Sequence, residues 1–259
     1  MTVFVCVLAG LLAGVGTGFA GLSAAVFISP MLITFLHVDS FSAIGIALAS
    51  DVLASAASAA TYAHNGNTDL KRIRPLIAAV LVLTVIAAVL SHLFTGLSVG
   101  ESVMKKWLLL ALLFLGAKLA FFPARRSGDG GTLLCLPEKG IQLLGGCYIG
   151  FLCGFQGTGG GLMLLFVLNI LLGMDYKRSV GSSVCVMTLT ALVGAASHFL
   201  LRGVPDLGML AICVIFTLLG ALAAAKAANR IHQTALKRMT GALMLLAGAV
   251  MLAAALLGA

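Results

Sequence analysis

The chain has 259 residues, of which 61% are hydrophobic and only 9% charged, with a formal net charge of +8. Apolar segments of about twenty residues recur throughout and run on without period-two alternation, which excludes a soluble globular domain and an outer-membrane barrel. The chain reads as an all-α, polytopic helical membrane protein, whose positive balance reflects Lys and Arg kept in cytoplasmic loops, with no nucleic-acid partner.

Eight apolar blocks follow in chain order: residues 3–36, 41–63, 74–95, 103–122, 138–172, 179–200, 206–225 and 235–258. The start, Met1-Thr2-Val3-Phe4, has no basic flank, and its apolar run outlasts a secretory h-region, so no cleaved signal peptide is expected. The first block and the fifth are too long for one crossing. A helix of about 34 residues would reach roughly 50 Å, against a hydrocarbon core of about 30 Å. Glycines break both blocks, at Gly14 to Gly21 and at Gly154 to Gly161.

The blocks also repeat. Gly10, Gly14, Gly18, Phe19 and Gly21 recur 136 positions later as Gly146, Gly150, Gly154, Phe155 and Gly157. The same shift pairs Asp39 with Asp175, Gly45 with Gly181 and Leu53 with Leu189. After a one-residue slip, Gly66, Asp69 and Leu70 meet Gly203, Asp206 and Leu207. Two homologous membrane halves point to a transporter built around a pseudo-two-fold axis. Residues 1–122 form the first repeat, 123–137 a cytoplasmic linker and 138–259 the second repeat.

Charge counting chooses the topology. If every block crosses once, the sixteen Lys and Arg split evenly between the two sides and carry no orientation signal. If each long block goes in and comes back, the second half is inverted. Then only Lys105, Lys106 and Arg202 face outward, and the other thirteen, among them Lys71, Arg72, Arg125, Lys139, Lys177 and Arg230, share the inside. The positive-inside rule favours this inverted pair, each half opening with a broken or re-entrant glycine-rich segment.

The two breaks read Gly14-Val15-Gly16-Thr17-Gly18-Phe19-Ala20-Gly21-Leu22-Ser23 and Gly154-Phe155-Gln156-Gly157-Thr158-Gly159-Gly160-Gly161. Their GxxxG spacing (Gly10, Gly14, Gly18 and the copy) reads as close helix packing. The non-helical run from Gly157 to Gly161 reads as a binding loop, because irregular backbone within a membrane is tolerated where it is buried or lines a cavity. Glycine nests and helix starts also present N–H groups that suit an anion.

With these paired glycine segments, Pro30-Met31-Leu32 after the first, Gly181-Ser182-Ser183 after the second, and a basic linker between the halves, the chain resembles the sulfite exporter TauE/SafE (TSUP) transporters over essentially its whole length. The resemblance implies a carrier of sulfite, of sulfonates such as sulfoacetate, or of related anions. The copies depart from each other at Gly45-Ile46-Ala47, which lacks the hydroxyls of Gly181-Ser182-Ser183, and at Phe166, where the proline of the first copy would fall.

Polar residues inside the blocks complete the reading. Asp51 is the one acid well inside an apolar block, where a charge is expensive, and it is the proton-coupling candidate. Asp51, Ser55, Ser58 and Tyr62 form one helical stripe, and Ser183, Thr190 and Ser197 another, with Met187 in the place of Asp51; both are expected to face the bundle interior. The substrate-binding candidates are Gln156, Gly157, Thr158, Gly159, Gly160, Ser182, Ser183, Gly18, Gly21 and Ser23, followed by Thr17 and Ser50. Hydroxyls and amides can donate to sulfonate oxygens without fixing a counter-charge, although each can instead cap local backbone. Asp39 and Asp175 read as N-caps. Six cysteines lack CxxC spacing, and His64, His92 and His198 share no ligand spacing, so no metal and no cofactor is expected.

The expected function is a secondary transporter or facilitator, not an enzyme, exporting a small sulfur-containing anion across the bacterial inner membrane. The alternatives are a proton-coupled importer of a small organic anion and, more distantly, an intramembrane hydrolase using Ser23. The expected partners are the anion and the lipid bilayer, with a homodimer left open.

Overall fold

The computed structural model describes residues 2–93, 110, 113–121, 137–156, 160–202 and 205–256. Most of the expected linker 123–137, and the candidates Gly157, Thr158 and Gly159, lie outside the described residues; Gln156 ends a helix, its side chain likewise outside.

All regular structure among the described residues is helical. The first half contains α1 (Thr2–Ala20), a short 3₁₀ turn (Ala24–Val26), α2 (Ile28–Leu36), α3 (Ser40–His64), α4 (Arg74–Leu93) and a helical stretch at 113–121. The second contains α5 (Glu138–Gln156), α6 (Gly161–Leu165) running into a π-helical turn (Phe166–Leu171), α7 (Tyr176–Arg202), α8 (Leu207–Arg230) and α9 (Gln233–Leu256). Four helices among the described residues are long and apolar enough to cross a membrane: Thr2–Ala20, Ser42–His64, Tyr176–Ser197 and Leu207–Arg230. Large apolar side chains such as Phe4, Val89, Phe121 and Leu246 point outward, as a lipid-facing surface requires.

Both long blocks are interrupted where their glycines cluster. Gly21 (φ +63°) turns the chain after α1, and Gly160 (φ +64°) turns it into α6; this left-handed region is open to glycine at little steric cost. Elsewhere the caps act locally: Asp39 accepts from the Ser42 N–H at 2.9 Å to start α3, and Asp206 accepts from the Gly208 N–H at 2.7 Å to start α8. Asp175 stands immediately before α7.

The GxxxG glycines make the tightest seams in the bundle. An added Cβ at Gly10, Gly14 and Gly18 of α1 would lie 3.0, 2.3 and 2.7 Å from the carbonyl oxygens of Cys213, Thr217 and Ala221 on α8. At Gly146, Gly150 and Gly154 of α5 it would lie 2.9, 2.5 and 2.3 Å from those of Leu76, Val80 and Thr84 on α4. These partner positions are equivalent under the slipped repeat, so α1 packs on α8 and α5 on α4 through matching residues. Residue numbers rise together along each seam: α1 runs parallel to α8, and α5 parallel to α4. α3 and α7 run antiparallel, since Gly45 meets Phe199, Leu48 meets Gly194, and Tyr62 meets Gly181.

Because helix backbones touch at these glycines, even a methyl group forces them apart. Gly14→Ala is expected to destabilise by about 1–3 kcal/mol, lowering the thermal unfolding midpoint of detergent-purified protein. Gly45→Ala, whose Cβ would meet only a ring carbon at 3.6 Å, should leave that midpoint unchanged or raise it, as helix propensity favours Ala.

Candidate functional site

The break after α1 frees backbone groups on both of its sides, and side chains from other helices meet them. On the α1 side, the Tyr62 hydroxyl donates to the Gly18 carbonyl at 2.9 Å and the Thr240 hydroxyl to the Phe19 carbonyl at 3.3 Å. Thr17 Oγ1 lies 2.9 Å from the Leu22 carbonyl, across the turn itself. On the far side, the Ala24 N–H donates to Asp51 Oδ1 at 2.7 Å, the Ser23 hydroxyl donates to Asp51 Oδ2, and Ser23 Oγ accepts from the Ala25 N–H. Asp51 lies midway along α3 and is fully buried. The Asp51 carboxyl group is therefore met inside the bundle by one amide and one hydroxyl.

The two breaks touch. A Cβ at Gly161 would lie 1.9 Å from the Gly21 carbonyl oxygen and 2.7 Å from Met187 Sδ. Met187 occupies on α7 the repeat position of Asp51, and it faces the second break as Asp51 faces the first. A Cβ at Gly160 would meet Cys153 Sγ at 2.3 Å, so sulfur approaches both described glycines of this turn.

The structure brings together Gly18, Gly21, Ser23, Thr17, Asp51, Gly160 and Ser183. Ser183 Oγ would lie 2.6 Å from a Cβ at Gly21, and its hydroxyl donates to the Val180 carbonyl at 2.8 Å. Ser182 is directed elsewhere: fully buried, its oxygen accepts from the Asp69 N–H at 3.0 Å in the loop after α3. Ser50 donates to its own helix at Ile46, 2.8 Å away. The stripe Asp51, Ser55, Ser58 and Tyr62 is buried along its whole length, and the Thr188 hydroxyl on α7 donates across to Ser55 Oγ at 3.0 Å. Ser58 Oγ is buried with no hydrogen-bond partner among the described residues.

One contributor escaped the sequence reading: Thr240 sits in an ordinary apolar helix with no pattern to mark it. Lys237, three residues before it and read with the basic residues of the inside face, is only 8% exposed.

Comparison with known proteins places this geometry in context. The Bacillus subtilis (strain 168) protein named "Probable membrane transporter protein YdhB" is 26% identical over 233 residues, which cover 87% of this chain and 90% of that protein. No solved structure matches the chain. Residues 6–251 match the family described as "Sulfite exporter TauE/SafE", and the chain belongs to that family of membrane transporters.

Proposed function

We propose that the protein is a secondary transporter or facilitator that exports a small sulfur-containing anion, such as sulfite, sulfoacetate or another organosulfonate, across the bacterial inner membrane. The observation that carries this reading is the first glycine break, where the Asp51 carboxyl oxygens rest on a backbone N–H and a hydroxyl, with no cation touching them among the described residues. Sulfite and sulfonates present oxygens of similar spacing and charge. At the second break the corresponding side chain is Met187, so the anion recognised there comes from outside the protein. Gln156, Gly157, Thr158, Gly159 and Gly160, with Ser182, Ser183, Gly18, Gly21 and Ser23, are the residues proposed to cradle it.

The halves act as inverted repeats. The parallel α1–α8 and α5–α4 seams, together with antiparallel α3 and α7, support that arrangement, because each helix of one half then runs opposite to its counterpart in the other. The basic residues 71, 72, 139, 177 and 230 belong to loops or helix ends that meet at one end of the bundle, in keeping with a cytoplasmic face there. An anion leaving a negative interior gains about 2.3 kcal/mol per charge per 100 mV, so export needs no coupled ion.

A second reading, a proton-coupled importer, is favoured by one observation: Asp51 is an acid buried at the break itself. Asparagine can keep the Ala24 contact through its oxygen and donate to Ser23 Oγ, so Asp51→Asn should fold. Under the exporter reading, the pH profile of flux through Asp51→Asn matches that of the native protein; abolished pH dependence would move the assignment to the importer. Gly159→Phe should reduce sulfite and sulfoacetate flux in proteoliposomes to background with an unchanged gel-filtration profile, and retained flux would overturn the cradle.

A further inference from the structure

Among the described residues, the most extensive helix-to-helix contacts join helices of opposite halves, α1 with α8 and α4 with α5. Backbone meets backbone along both seams, so neither pair can part without losing close packing over several turns. Among the described residues the pairs barely touch each other, and α3 and α7 stand between them. The two copies of this arrangement differ. α3 lies closely along α8, whereas its counterpart α7 touches α4 over a much shorter stretch.

At one end, the loop 65–73 crosses from one pair to the other. Asn67 Nδ2 donates to Asn229 Oδ1 at 2.6 Å, at the end of α8, and Lys177 Nζ donates to the Asn229 carbonyl at 2.9 Å. The Asp69 N–H reaches Ser182 on α7, and Arg72 Nε bonds Glu138 Oε1 at 2.7 Å, at the start of α5. A Cβ at Gly181 would lie 2.0 Å from the Asn67 carbonyl oxygen, so this glycine lets the loop lie flat on α7, directly over Ser182 and one residue from Ser183 at the break. Hydrogen bonds between partly exposed partners exchange with water at small net cost, and an exposed ion pair is weak. Apart from the single close approach at Gly181, the joint is thus made of bonds that water can replace, whereas the seams are packed backbone to backbone over several turns.

Resting on the transport reading, we infer that the chain changes shape as two exchanged pairs, α1–α8 against α4–α5, and not as its two sequence halves, with the loop 65–73 as the latch that closes the end carrying Lys71, Arg72 and Lys177. The latch shields Ser182, and its release exposes the segment 181–183 that leads to the glycine breaks.

The test reads shape first and cargo second. Ser182→Cys in detergent-purified full-length protein should react slowly with a water-soluble maleimide, quantified at that residue by mass spectrometry. Adding Asn67→Ala and Arg72→Gln should speed the reaction about tenfold, the effect of removing two hydrogen bonds from a closed–open balance; an unchanged rate overturns the latch. If the combined variant is not monodisperse, Arg72→Gln alone, at a half-exposed site, should still give a measurable acceleration, and none would overturn the latch equally. In proteoliposomes, oxidative cross-linking of Asn67→Cys to Asn229→Cys should stop sulfite flux and reduction should restore it, whereas full flux through cross-linked protein overturns the latch. Absence of sulfite flux in the native protein would count against the substrate reading alone, and the maleimide rates would then decide the latch.

Discussion

A helix that stops inside an apolar medium leaves amide and carbonyl groups that water cannot reach, and the protein must satisfy them itself. That requirement organises the interior of this bundle. Tyr62 and Thr240 come from α3 and α9 to meet the carbonyls at the end of α1, and Asp51 and Ser23 meet the amides where the chain resumes. α3 is thus bound to the break twice, through Asp51 at its middle and Tyr62 three turns later. The buried acid is held in place by the same groups that need it.

The glycine seams set the second constraint. The small-residue face of α1 packs on α8 of the other half, and that of α5 packs on α4. Exchange of this kind makes the two copies interdependent and places their breaks in contact at Gly21 and Gly161. It also fixes which motions are inexpensive: parting a seam loses backbone-level packing, while the polar loop over Ser182 releases a few hydrogen bonds to water.

Symmetry is broken where chemistry would need it broken. Asp51 and Met187 occupy equivalent positions, yet one supplies a carboxyl group beside Gly21 and the other a thioether beside Gly161.

Much of this was legible in the amino-acid order. Long apolar runs imply helices, glycine clusters imply breaks, and a 136-residue repeat implies paired halves. Asp51 stood out as a buried acid because burying charge is expensive wherever it occurs. The GxxxG spacing announced close packing, and the polar stripe of α3 announced its inward face, since both depend on helical periodicity alone. What no local pattern could specify was the partner. That α1 packs on α8, that Ser182 serves a loop while its neighbour Ser183 faces Gly21, and that Lys237 and Thr240 lie inside are outcomes of the exchange between halves. Sequence determines which groups must be buried, broken or capped, because those demands are properties of a helix in an apolar medium. Only the tertiary structure decides which distant residue answers each demand, because hydrogen bonds and backbone contacts between elements depend on how the helices are arranged around one another.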